Sequence, residues 1–139
     1  MTLQLQSLEK AVTSLQEAIE FSNSKMAKED SRLFRQFRNS VIQCFEFTYE
    51  LSWKMLKRRL ELDAPTPSVI DELSYNDMMR EGAIRGLISD PVVWMEYRKE
   101  RNVTSHAYNE EMAQEVYLTA IEFLKDASDL LKVLQEKNR

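Results

Sequence analysis

Glycine occurs only twice and proline three times in this 139-residue chain. A sheet-rich or α/β domain of that length needs more turn-formers, because each tight reversal calls for backbone angles that those residues supply. The single cysteine, Cys44, has no internal partner, so no disulfide staples the fold; that predicts a protein of the reducing cytoplasm. One histidine and one cysteine rule out a structural zinc cluster and the paired E-x-x-H sites of di-iron bundles. With Gly82 and Gly86 as the only glycines, no phosphate-cradling glycine loop can form. No run approaches the roughly 18 apolar residues that a membrane-spanning helix needs. The first residues, Met1-Thr2-Leu3-Gln4-Leu5-Gln6, show neither a basic nor an apolar leader pattern.

What is present is 43% hydrophobic and 30% charged, enough to bury a core without staples. The net charge of −4 argues against a general nucleic-acid binder. That charge is uneven: residues 25–60 carry nine Lys/Arg against four Asp/Glu, a local +5 that suits either a solvated helix face or a small phosphate-rich target.

Helical periodicity runs along most of the chain. Leu5, Leu8, Val12, Leu15 and Ile19 recur at 3-4-3-4 spacing and predict a helix over 3–24. Residues 25–30 read as a connection, with Asp30 or Ser31 as the next cap. Residues 32–61 predict a long central helix with two apolar stripes. One contains Phe34, Phe37, Val41, Cys44 and Thr48, and the other Ile42, Phe45, Tyr49, Trp53 and Leu56. Pro65 and Pro67 break the pattern, and 68–73 is ambiguous. Ser74-x-x-Asp77 resembles a capping box opening a shorter helix that ends near Gly86. Asp90-Pro91 opens another that runs toward Arg101, and a last helix extends from near Asn109 to about Gln135. These elements predict one all-α domain over 1–139, an up-and-down bundle of four or five helices.

The only dense chemistry is Arg101-Asn102-Val103-Thr104-Ser105-His106-Ala107-Tyr108. On an uninterrupted helix Arg101 and His106 diverge by about 140°. Asn102, Thr104, Ser105 and Asn109 are poor helix formers and good cappers, so the segment also reads as a junction that can aim both side chains at one point. An imidazole can carry a proton near neutral pH, and a guanidinium can clamp a phosphate and stabilise growing negative charge. RNA brings its own nucleophile in the 2′-hydroxyl. By spacing alone, the same residues also suit an ordinary helix start with an incidental R-x4-H.

The blocks Phe45-Glu46-Phe47-Thr48-Tyr49-Glu50-Leu51-Ser52-Trp53-Lys54, Arg80-Glu81 with Gly86-Leu87-Ile88, Trp94-Met95, and Arg101-Asn102-x-x-Ser105-His106-x-Tyr108 occur in that order. Together they resemble the nucleotidyltransferase substrate-binding protein family, a branch of the HEPN superfamily, over about residues 5–135. The resemblance implies a four- or five-helix bundle that dimerises, with no cofactor or metal. It implies a small nucleotidyltransferase as protein partner and no membrane. In many HEPN proteins the R-x4–6-H motif cuts RNA, which maps catalysis onto Arg101, Asn102 and His106. In some two-component toxin–antitoxin pairs the transferase adds AMP to the motif tyrosine, here Tyr108. A non-catalytic binding subunit, or an interaction module whose motif only builds a dimer interface, is the alternative. The 63–73 stretch is idiosyncratic, and no family role is carried onto it.

Overall fold

A computed structural model describes residues 2–139. Its longest element is α3 (Ser31–Asp63), 33 residues, following α1 (Gln6–Ser22) and the short α2 (Lys25–Glu29). After it come α4 (Ser68–Asp71), α5 (Tyr75–Ile84), α6 (Pro91–Val103), a 3-10 turn (Thr104–His106) and α7 (Glu110–Lys137). The architecture is an all-α, up-and-down bundle, and no strand occurs among the described residues. No helix there is long and apolar enough to cross a membrane.

Two apolar faces place α3 at the centre, packed against both α1 and α7. Phe45, Tyr49, Leu56 and Leu60 are sealed from solvent. Phe123 of α7 lies at the hub, edge-on to Phe45 at 5.3 Å, Trp94 at 5.6 Å and Tyr97 at 5.0 Å. This is the arrangement that ring quadrupoles favour. Thr48 breaks its stripe with a hydroxyl, and that hydroxyl donates to the Ala11 carbonyl at 3.1 Å, tying α3 to α1.

The helix boundaries follow the capping residues. Asp30 accepts from the amides of Arg32 and Leu33, and Ser74 from Asp77. Gly86 closes α5 at φ 77°, with Leu87 N–H reaching the Gly82 carbonyl at 2.8 Å and Gly86 N–H the Ala83 carbonyl at 3.1 Å. That pair of bonds is the left-handed termination for which glycine carries no steric penalty.

The bundle departs from the sequence reading in detail. The predicted connection at 25–30 contains α2, capped by Ser24 and too short to show a period. The ambiguous 68–73 stretch contains α4, which seats Ile70 in the core. α1 starts at Gln6 rather than residue 3, because the Leu3 backbone pairs with the Asn138 side chain in both directions at 3.0 Å. Cys44 and Trp53, read as stripe residues, are only half-buried.

Candidate functional site

Both sides of the R-x4-H segment are fixed by local hydrogen bonds. Asp90 caps α6 through the Val92 amide at 3.0 Å, and Pro91 occupies the first turn, where its missing N–H leaves no bond unmade. At the far end the buried Thr104 hydroxyl donates to the Arg101 carbonyl at 2.8 Å and accepts from Arg101 Nη1 at 3.1 Å. The chain then tightens into the 3-10 turn. Asn109 restarts the helix by accepting from the amides of Glu111 and Met112. The anticipated junction is therefore present, and the low helix propensity of its polar residues accounts for it.

Arg101 and Asn102 line a groove of about 390 Å³ between α3 and α6, with Tyr75 and Met78 of α5 closing one side. Arg101 Nε lies 3.5 Å from Glu50 Oε1. The other oxygen of Glu50 accepts from Trp53 Nε1 at 3.2 Å and has Lys54 Nζ at 4.0 Å. One carboxylate thus joins Arg101 and Trp53 of the groove to Lys54 beside it. Behind it the Tyr49 hydroxyl donates to that of Tyr75 at 2.5 Å, which donates to the Trp94 carbonyl at 3.2 Å. Burial raises both phenols, Tyr75 to about 12, so both stay protonated and act as donors rather than bases. The Arg98 guanidinium lies 4.6 Å from the Tyr75 ring centroid.

His106 and Tyr108 sit elsewhere. Both are exposed, Tyr108 by 88%, and their rings are 6.3 Å apart. Tyr108 borders a second hollow of about 420 Å³ with Asn39, Gln43 and Glu46 of α3. Among the described residues no hydrogen bond links His106 to Arg101. The structure pairs Arg101 with Asn102 in the groove and His106 with Tyr108 on the turn. As chemistry, the first sets a guanidinium beside an aromatic wall and the second an accessible imidazole beside an accessible phenol.

Glu50, Trp53, Tyr75 and Arg98 were not picked out as site residues by the sequence. The available signal was helical phase: Arg98 is three residues before Arg101 and four before Asn102, hence on the same face. Three cations of the basic stretch at 25–60 are paired with acids that lie beyond it. Arg38, 4% exposed, bonds Glu110 at 2.8 Å and Gln114 at 3.1 Å. Its guanidinium holds the Glu110 carboxyl below the usual carboxylate range. Arg59 meets Asp63 at 2.6 Å, and Lys57 meets Asp71 at 3.1 Å. No group of three or more His, Cys, Asp or Glu among the described residues is placed to hold a metal ion.

A family profile described as "Nucleotidyltransferase substrate binding protein like" matches residues 3–136. The chain belongs to that family. A curated Haemophilus influenzae relative named probable ribonuclease HepT is 44% identical over 99 residues, covering 71% of this chain and 68% of that protein. A solved Haemophilus influenzae structure has a TM-score of 0.88 at 36% identity, covering 95% of this chain and 99% of that one. It is described as revealing the fold of a substrate-binding domain of a nucleotidyltransferase. A Thermus thermophilus crystal structure shares the fold, with a TM-score of 0.69 at 23% identity over 91% of this chain and 98% of that one. Within this family member, the groove combines Arg101 of the R-x4-H block with Glu50 and Trp53 of the Phe45–Lys54 block, two of the segments on which the resemblance rested.

Proposed function

We propose that this chain acts as a single cytoplasmic domain, the partner subunit of a minimal nucleotidyltransferase in a HEPN-type toxin–antitoxin-like pair. In this reading it is a metal-independent ribonuclease regulated by AMP transfer to Tyr108. The observation that carries the reading is one helix junction with Arg101 and Asn102 in a groove on one side and an open His106–Tyr108 pair on the other. The names of the relatives support it. In cleavage, the RNA 2′-oxygen attacks the adjacent phosphorus, the 5′-oxygen leaves, and a 2′,3′-cyclic phosphate remains. His106 of one copy takes the 2′-proton, and His106 of a second copy across a homodimer axis returns a proton to the leaving oxygen. Arg101 stabilises the charge that grows on the phosphoryl oxygens, and Asn102 positions the phosphate.

In regulation, the Tyr108 hydroxyl oxygen attacks the α-phosphorus of ATP. Pyrophosphate leaves, the phenolic proton goes to solvent, and AMP remains bonded beside His106. The added phosphate covers His106 sterically and repels the phosphates of an approaching RNA. The 88% exposure of Tyr108 supports its role as an acceptor.

Two assays test these steps. Partner-free protein should cut RNA in the presence of a chelator, and His106→Ala and Arg101→Ala should abolish cleavage with circular dichroism unchanged; equal cleavage by His106→Ala removes the nuclease assignment. Incubation with the cognate transferase and ATP should add the mass of AMP, and Tyr108→Phe should prevent the gain. An unchanged mass, or the same gain in the variant, sinks the acceptor assignment. A second reading, a non-catalytic substrate-binding subunit, is favoured by Arg101 being held by Glu50 and Thr104 without touching His106. It expects co-purification with the transferase and no cleavage.

A further inference from the structure

The groove holds more than an anion clamp requires. A site built only to grip phosphate has no use for an aromatic wall. Yet Trp53 lines this groove half-exposed, with its Nε1–H bonded to Glu50 at 3.2 Å and its ring meeting Tyr75 edge-on at 6.1 Å and 78°. With the N–H occupied and the ring packed against Tyr75, what the indole still offers a ligand is its π surface. The cations divide the same way. Lys57 is bonded to Asp71 at 3.1 Å, and Arg101 is shared with Glu50 and Thr104. Arg98 is exposed, lies over Tyr75 and makes no ion pair among the described residues, so its donors remain available. Glu50 is already committed to Arg101 and Trp53, while Arg98 and Asn102 bring uncommitted donors to the same groove. A cavity of about 390 Å³ is at the small end of ligand sites, which span roughly 300–1,000 Å³.

We propose that this groove is a subsite for one unpaired nucleotide of an RNA strand, its base stacked on Trp53 and its phosphate held by Arg98 beside Arg101. The assignment rests on the ribonuclease reading and deepens it by naming single-stranded RNA as the substrate class. An A-form duplex keeps its bases stacked on one another and cannot present one to the indole, whereas unpaired bases stack readily on aromatic side chains.

The test uses the full-length protein and an uncleavable 2′-O-methyl RNA strand of about twelve nucleotides, with binding followed by fluorescence anisotropy. Trp53→Ala should weaken binding about tenfold, while Trp53→Phe, which keeps a ring and the packing, should stay within about threefold. Arg98→Gln, at an exposed position, should weaken binding about fivefold and flatten the dependence of log Kd on log salt by about 0.7. Trp94 is buried in the core at 2% exposure, so quenching of indole fluorescence by the strand reports on Trp53 and should vanish in Trp53→Phe. A fully paired hairpin should bind at least about tenfold more weakly than the single strand. Unchanged Kd in both Trp53→Ala and Arg98→Gln overturns the subsite, as does free AMP quenching at concentrations as low as the strand does. The ribonuclease reading is decided separately, by loss of cleavage in His106→Ala, so either claim can fail alone.

Discussion

Arg101 in the groove and His106 on the turn are five residues apart along the chain, yet their surroundings differ in almost every physical respect. In the groove the central polar groups answer one another: Glu50 faces Arg101 and accepts from Trp53, and Tyr49 and Tyr75 donate in series to the Trp94 carbonyl. On the turn, the exposed His106 and Tyr108 have their rings 6.3 Å apart, and neither side chain makes a hydrogen bond among the described residues. A half-buried network of this kind pre-orients a guanidinium at little entropic cost. An exposed imidazole keeps freedom of movement and remains open to a second macromolecule. The contrast teaches that the motif's Arg and His are held differently: Arg101 is built into the scaffold, and His106 is left open to solvent.

The largest expected effect strikes the turn alone. His106→Ala should lower cleavage by about 10²–10⁴-fold, the usual weight of a proton carrier. Its thermal midpoint should stay within about 2 °C of the parent, because an exposed side chain carries little stability. A large fall in the midpoint would erase the distinction between the two regions.

The groove should respond on both axes at once. Glu50→Ala frees Arg101 and leaves the Trp53 N–H unpaired, so cleavage should fall about tenfold and urea unfolding should register a loss of about 1 kcal/mol. Cleavage lost with no change in unfolding would mean that the network holds nothing in place.

The smallest effect concerns the seam between α6 and α7, which supports both regions. Burial, and then the negative charge of Glu115, push Glu100 up to about 7, and one of its carboxylate oxygens is buried without a hydrogen-bond partner. Since the folded value lies above the unfolded one, the folded chain binds more protons across the interval between them. Stability is therefore retained below about pH 4.5 and lost as pH rises toward 7. Glu100→Gln should match the parent near pH 4.5 and exceed it by a widening margin in thermal midpoint up to pH 8. A constant margin across that range would rule out the titration.

Much of this was legible in residue order. Asp30, Ser74, Asp90-Pro91, Gly86 and Asn109 each mark a helix end through short-range chemistry that needs no tertiary partner, and each marks one in the structure. The two-faced pattern of α3 identified the central helix. The expected break between Arg101 and Asn109 is there too, as the 3-10 turn. The basic stretch was harder to interpret, because Arg38 finds Glu110, 72 positions later, and pairing at that range leaves no local trace. Trp53 and Cys44 looked like core for a related reason. An apolar residue at the edge of a stripe is buried or half-exposed according to which helix lies over it, and periodicity does not name the neighbour.

The order of residues alone determined the helical class, the caps, the centrality of α3 and the concentration of chemistry at Arg101–Tyr108. Those depend on backbone propensity and spacing within a few turns of chain. Only the tertiary structure decided that Arg101 turns toward Glu50 while His106 faces solvent, and that Trp53, Tyr75 and Arg98 join the groove. Side chains from α3, α5 and α6 meet there because packing of the core sets where those helices lie. A contact between residues 50 and 101 exists only once that packing is complete.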